Sequence, residues 1–230
     1  MQLQFRDLMQ PKNWAVLYFL VLLADLCVIA FDIPHARFAT KPLIMIVLGF
    51  LCWAHAAHLH LRARNFIFAA IIFSWGGDVL LLFPQHFVAG LISFLTAHIL
   101  YMIFFLQVRP KARMSWREAA TAAGVIVYAV GLVSLLAPYL GELKPAVMVY
   151  TVVISLMLLT ALRTFGWRSG KAGLLCVAGA LLFVISDSIL AIEKFYTAFP
   201  ASSILVMLTY GVAQWMIVEG SIKHLKTVPS

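Results

Sequence analysis

Apolar residues in this chain run a helix length or more at a stretch, and the charges lie mostly in short gaps between the runs. That pattern constrains the fold more than any single motif. About 20 apolar residues cross the hydrocarbon core of a bilayer, within a working range of about 17–25. Eight runs meet or approach that length: 14–31, 42–57, 66–83, 87–106, 119–137, 145–162, 173–192 and 200–220. Each is read as helical, because a backbone group left unpaired in lipid is costly. None shows the alternation of period two that a membrane β-barrel requires. The expected architecture is all-α: one integral-membrane domain over 1–230, built as a bundle of eight transmembrane helices.

Composition removes the alternatives. The chain is 63% hydrophobic and 11% charged, against about 25% charged in soluble domains. Too few polar side chains exist to cover a water-soluble globule, which excludes a cytosolic enzyme, a secreted disulfide scaffold and a disordered chain. Cys27, Cys52 and Cys176 all lie inside apolar runs, so no disulfide framework or C-x-x-C metal site is read. Residues 1–13 are polar, with Arg6, Asp7 and Lys12, and no signal-peptide pattern is read there. The net charge of +8 would suggest nucleic acid in a soluble protein. Here the basic residues act as orientation signals, and no nucleic-acid partner is expected.

An even number of spans puts both ends on one side. That side would hold Arg6, Lys12, Arg62, Arg64, Arg109, Lys111, Arg113, Arg117, Arg163, Arg168, Lys171, Lys223 and Lys226, and the other only Arg37, Lys41, Lys144 and Lys194. The bias places both termini in the cytoplasm, with a bacterial inner membrane as the expected host. A weak internal echo links Phe73-Ser-Trp-Gly-Gly-Asp78 to Phe183-Val-Ile-Ser-Asp187. Helices three and four would then correspond to seven and eight, in a 4+4 parallel repeat.

An ionisable residue inside a membrane helix is a functional hypothesis by default, since it costs about 2.5–3.5 kcal/mol at the helix centre. Asp78 and Asp187 fall at similar depth in the third and seventh runs, about 18 and 21 Å from their cytoplasmic ends at 1.5 Å per residue. Gly76 and Gly77 precede one and Ser186 the other; small residues let helices approach closely. The pair reads as an acid/base site or a proton or cation site, against two separate helix clamps. Lys41 is expected at the start of helix two, with Thr40 near the N-cap and Pro42 in the first turn. There it would snorkel to the interface or stand as a cation beside the acids. His98 and Tyr101 share one face of helix four, with Thr96 close by, and Tyr210 and Gln214 share one face of helix eight. His98 reads as a core histidine or a site residue; Tyr210 and Gln214 bind a polar headgroup or hold helices together.

Other polar positions carry less. His55, His58 and His60 lack supporting acids or thiols and read as interfacial, so no metal is expected. Asp25 sits alone in helix one, and Glu219 reads as interfacial. Trp14, Trp53, Trp116 and Trp167 fit interface belts. No G-x-S-x-G elbow, H-E-x-x-H, Walker loop or S-x-x-K box in a sensible context occurs, and no cofactor is expected.

Five segments in order resemble one family. They are Thr40-Lys41-Pro42-Leu43, Gly77-Asp78-Val79-Leu80-Leu81, Phe94 through Tyr101 with His98, Gly179 through Asp187, and Tyr210-Gly-Val-Ala-Gln214. Together they look like the YhhN/TMEM86 family of integral membrane proteins. The resemblance implies lysoplasmalogenase activity: hydrolysis of the vinyl ether bond of a lysoplasmalogen to a fatty aldehyde and a glycerophosphocholine or glycerophosphoethanolamine. It assigns the essential aspartates to Asp78 and Asp187, and the family's lysine, histidine and tyrosine to Lys41, His98 and Tyr101. Gly211 departs from the pattern, standing where a second tyrosine is expected after Tyr210. The implied partners are a lysophospholipid substrate and the surrounding lipid.

A vinyl ether resists base and yields to acid. Protonating its β-carbon makes an oxocarbenium ion, which needs a nearby anion and an activated water. Two carboxylates in different surroundings supply both needs, as in glycoside hydrolysis. Tyr101 or Gln214 would bind the free glycerol hydroxyl. The same helices and acids also suit a proton-coupled carrier or a lipid flippase, or a binding scaffold. Purified protein in detergent separates these: a hydrolase releases aldehyde with no sealed compartment, whereas a carrier shows activity only across one.

Overall fold

The computed structural model describes residues 11–56, 61–109, 115–166 and 170–227. They form eight long helices and no strand: α1 (Pro11–Ala30), α2 (Pro34–Ala56), α3 (Leu61–Leu80), α4 (Phe87–Gln107), α5 (Trp116–Leu136), α6 (Lys144–Phe165), α7 (Lys171–Ala191) and α8 (Ser202–Thr227). Seven are long and apolar enough to cross a membrane. The exception is α3, whose Arg62, Arg64 and Asp78 dilute an otherwise apolar run. The protein is a multi-pass integral membrane helix bundle.

Most apolar runs understate their helices, because a helix continues into polar residues wherever its backbone bonds can still form. The largest difference is in α2, which begins at Pro34 and carries Pro42 inside it. The expected start at Lys41 is therefore corrected. Pro34 occupies the first turn, where its missing N–H is not needed, and Thr40 and Lys41 lie in the helix body. Because α3 stops at Leu80 and α7 at Ala191, Asp78 and Asp187 sit within about a turn of their helices' C-terminal ends. α5 begins with a capping box: the Ser115 hydroxyl accepts from the Glu118 N–H at 3.3 Å, and the Glu118 carboxylate accepts from the Ser115 N–H at 3.0 Å.

The most extensive packing is between α7 and α8, followed by α3 with α4 and α1 with α2. Two glycines explain the first contact. A Cβ on Gly179 would stand 2.9 Å from both the Ala213 carbonyl and the Ile217 nitrogen, and one on Gly220 would stand 2.8 Å from the Ala172 carbonyl. The helix backbones touch there, as small residues allow inside membranes. Ile44, Leu48, Leu51, Phe104, Met157 and Phe183 are among the fully buried side chains. α5 is the least buried candidate span, with Val127 and Val130 turned outward.

Beyond α7 the chain makes a π-helical turn, Ile192–Tyr196, before α8. It forms a lip at the end of the bundle where α2 and α8 begin and α3 and α7 stop. Arg6, Asp7, His58, His60, Lys111, Arg113, Trp167 and Arg168 lie outside the described residues. Of the other predicted belt residues, Trp53 and Trp116 are exposed, and Trp14 stacks on Phe50.

The α7–α8 contact makes a stability prediction. Gly179→Ala should lower stability in detergent by about 1–3 kcal/mol, the usual range for overpacking. Gly131→Ala, at a site on α5 with nothing within 4 Å, should raise it by up to about 1 kcal/mol through helix propensity. Thermal melts of the two purified variants check both signs.

Candidate active site

Asp78 lies near the end of α3 and is 1% exposed. Lys41, about two turns into α2, brings its Nζ to 3.6 Å from Asp78 Oδ1. Tyr210 of α8 donates its hydroxyl to Asp78 Oδ2 at 2.7 Å. At 7% exposed, Lys41 does not snorkel to the interface: with its partner already inside the bundle, the ammonium is turned inward. Asp25 is fully buried and accepts from Thr40 at 2.5 Å, which ties α1 to the residue before Lys41.

Asp187 lies one turn before the end of α7. Its Oδ2 accepts from the Tyr150 hydroxyl of α6 at 2.5 Å and stands 3.2 Å from His98 Nε2 of α4. Tyr150 and His98 are 3.3 Å apart, which closes a triangle. Each acid is thus served by the helix before its own and by a helix half a chain away: α2 and α8 for Asp78, α6 and α4 for Asp187. An aromatic wall joins the clusters. Tyr210 packs edge-on to Phe94 and Phe183, and Phe183 lies 4.5 Å from the His98 ring. Gly77 makes room for it, because a Cβ there would meet the Phe94 ring at 2.6 Å.

Both acids line one chamber of about 370 Å³ beneath the lip. Its polar lining adds Arg37, Lys41, Ser186, Glu193, Lys194, Ser203 and Tyr210. A narrower groove, about 70 Å³, runs between α4, α5, α6 and α7; it is lined by Leu91, Leu132, Val147, Tyr150 and Ile154. Asp187, Leu81, Phe87, Phe94 and Leu190 line both spaces. Asp187 therefore stands where a polar chamber meets an apolar groove.

The predicted residues divide accordingly. Lys41, Asp78, Ser186, Asp187 and Tyr210 line the chamber, and His98 stands behind Asp187. Ser186 donates to the Val206 carbonyl at 3.0 Å. Tyr101 and Gln214, expected to bind a substrate hydroxyl, line neither the chamber nor the groove. Tyr101 donates to Gln214 Oε1 at 2.6 Å, and Gln214 Nε2 donates to Ser74 at 2.8 Å and reaches the Tyr210 hydroxyl at 3.5 Å. They position Tyr210 from behind. His55 is bonded to the Leu51 carbonyl, and no metal-ligand cluster occurs among the described residues. Glu219 pairs with Lys223 at 3.1 Å. Sequence reasoning missed Tyr150; its signal was the hydroxyl pair Tyr150-Thr151 in the largely apolar first half of α6.

A model of the YhhN family matches residues 36–221. The chain belongs to the YhhN family. It is 31% identical over 175 residues to a protein of Mycobacterium tuberculosis named lysoplasmalogenase, a match covering 74% of this chain and 65% of that one. It is 34% identical over 172 residues to human lysoplasmalogenase TMEM86A, covering 70% and 67%, and 30% identical over 160 residues to human lysoplasmalogenase TMEM86B, covering 67% and 62%. The chain thus spans less than two thirds of the length of the mycobacterial relative and of TMEM86B. No solved structure matches it.

The Lys41–Asp78 pair can be tested by stability. Lys41→Met leaves a buried carboxylate without its cation and should cost about 3–5 kcal/mol. Adding Asp78→Asn should restore most of that loss. Chemical unfolding of the two single variants and the double variant measures the coupling.

Proposed function

We propose that the chain is a membrane-embedded lysoplasmalogenase. It would cleave the vinyl ether of an alkenyl glycerophosphoethanolamine or glycerophosphocholine by Asp/Asp acid–base catalysis. The observation that carries the reading is the position of Asp187 at the junction of a polar chamber and an apolar groove. A single-tailed lipid has the same division, and its vinyl ether is the joint between headgroup and tail. The names of the mycobacterial and human relatives support the same activity.

The geometry favours a division of labour. The vinylic β-carbon belongs to the tail, so it lies on the groove side, within reach of Asp187. Asp187, steadied by Tyr150 and His98, gives a proton to that carbon. The resulting oxocarbenium ion faces Asp78, which Lys41 and Tyr210 hold in place. Water from the polar chamber adds to the cationic carbon as Asp78 takes its proton. Asp78 then returns that proton to the glycerol oxygen while Asp187 takes the hemiacetal hydroxyl proton. The carbon–oxygen bond breaks, aldehyde and glycerophospho-alcohol leave, and both acids are reset. The tail would enter sideways past α5, the loosely held outer wall of the groove.

In this reading α3 is the eighth span. Its 20 residues reach about 30 Å at 1.5 Å per residue, and Ile72, Phe73 and Trp75 turn outward as a lipid-facing helix requires. Both termini then share the cytoplasmic side of a bacterial inner membrane. The corresponding helices around the two acids agree with a 4+4 repeat.

Removing either acid tests the chemistry. Asp78→Asn and Asp187→Asn should each lower aldehyde release by about 10²–10⁴-fold, the usual worth of acid–base help, with the purified protein still folded. Full turnover by either variant would refute the assignment.

A further inference from the structure

Three cations line the chamber, and the proposed chemistry uses only one. Lys41 is committed to Asp78. Arg37 enters from the first turn of α2 and Lys194 from the π-helical lip. Among the described residues neither makes an ion pair, and Arg37 Nε is buried with no hydrogen-bond partner. Lys194 Nζ stands 5.0 Å over the Phe87 ring, and Phe87 lines both the chamber and the groove. The adjacent Glu193 accepts from Ser203 at 2.7 Å. A surface cation at a bilayer edge ordinarily turns outward to water. Lys194 keeps that exposure at the chamber's rim, but Arg37 buries its Nε there, and a buried guanidinium edge without a partner is costly unless an anion meets it.

We infer that Arg37 and Lys194 form a phosphate-binding subsite at the mouth of the chamber, which seats the headgroup phosphate of a single-tailed phospholipid. The inference rests on reading the chamber as a lipid site, and it adds which residues hold the headgroup. Spacing decides in its favour. Lys194 follows Asp187 by seven residues, about 10 Å along the helix, and Arg37 precedes Lys41 by one turn, about 6 Å. In an extended glycerophospholipid the phosphorus and the vinylic carbons lie about 7–9 Å apart, given covalent bonds of about 1.5 Å. A phosphate held at the lip therefore delivers the vinyl ether to the level of Asp187. Phe87, under Lys194, marks the turn from chamber to groove.

The subsite is tested by binding, which does not depend on turnover. The protein in a maltoside detergent, free of other phosphates, is titrated with a saturated 1-alkyl lysophosphoethanolamine and with a 1-alkylglycerol of the same chain length. Neither has a vinyl ether to cleave. The wild-type protein should bind the phospholipid at least about tenfold more tightly. Arg37→Gln and Lys194→Gln should each erase most of that preference, and Arg37→Lys should keep part of it. Millimolar inorganic phosphate should not displace the lipid. Equal affinity of the wild-type protein for both ligands would overturn the subsite. So would an equal loss for both ligands in the variants, which marks a structural role. Displacement by inorganic phosphate alone would overturn the headgroup assignment and mark a free-anion site. If phosphate preference is found but the alkenyl analogue never yields aldehyde, the hydrolase reading fails while the subsite stands.

Discussion

The ion pair between Lys41 and Asp78 is the interaction on which the rest of the site depends. Two charges buried in a lipid-embedded bundle are tolerated only together and with further hydrogen bonds. The structure supplies those bonds through Tyr210, which Gln214, Ser74 and Tyr101 brace from behind. To bring Lys41 to Asp78, α2 must begin well before its apolar run. To let Tyr210 reach the same carboxylate, α8 must pack close to the acid-bearing half of the bundle. The glycines of the α7–α8 contact and Gly77 beside Phe94 make those approaches possible. Packing and chemistry are thus one problem in this molecule: the small residues that bring helices together also bring the polar groups into register.

The second acid is held differently. Asp187 has a tyrosine and a histidine for company, with no lysine or arginine in ion-pair contact among the described residues. It stands at the boundary between polar and apolar space. One carboxylate is paired with a full cation and the other sits in a network able to pass a proton. In the proposed reaction this asymmetry suits two acids with different roles. Their shared chamber lies at the end of the bundle where α2 and α8 begin, and the apolar groove runs between α4, α5, α6 and α7.

Much of this was legible before any coordinates. Charge spacing and run length led to an all-helical membrane bundle, and the scarcity of intramembrane acids singled out Asp78 and Asp187. Other features were not legible, for physical reasons. Pro42 reads as a helix start, yet Pro34 starts α2 one helical segment earlier, and only tertiary packing reveals that Lys41 is buried. Tyr150 looks like one more aromatic in an apolar run until α6 is placed beside α7. Tyr101 and Gln214 share faces with site residues, but helix periodicity does not say which neighbour they meet, and they meet each other. Arg37 and Lys194 read as loop charges, because sequence does not show that the lip folds over the chamber.

The central claim is that the two carboxylates face the head–tail joint of one lipid from a common chamber. A structure of the protein with a bound saturated-ether lysophospholipid tests it most directly. The account predicts the tail between α4 and α7, the ether oxygen between Asp78 and Asp187, and the phosphate at the lip. A tail lying elsewhere on the bundle, or the two acids opening into separate spaces around the ligand, would contradict it.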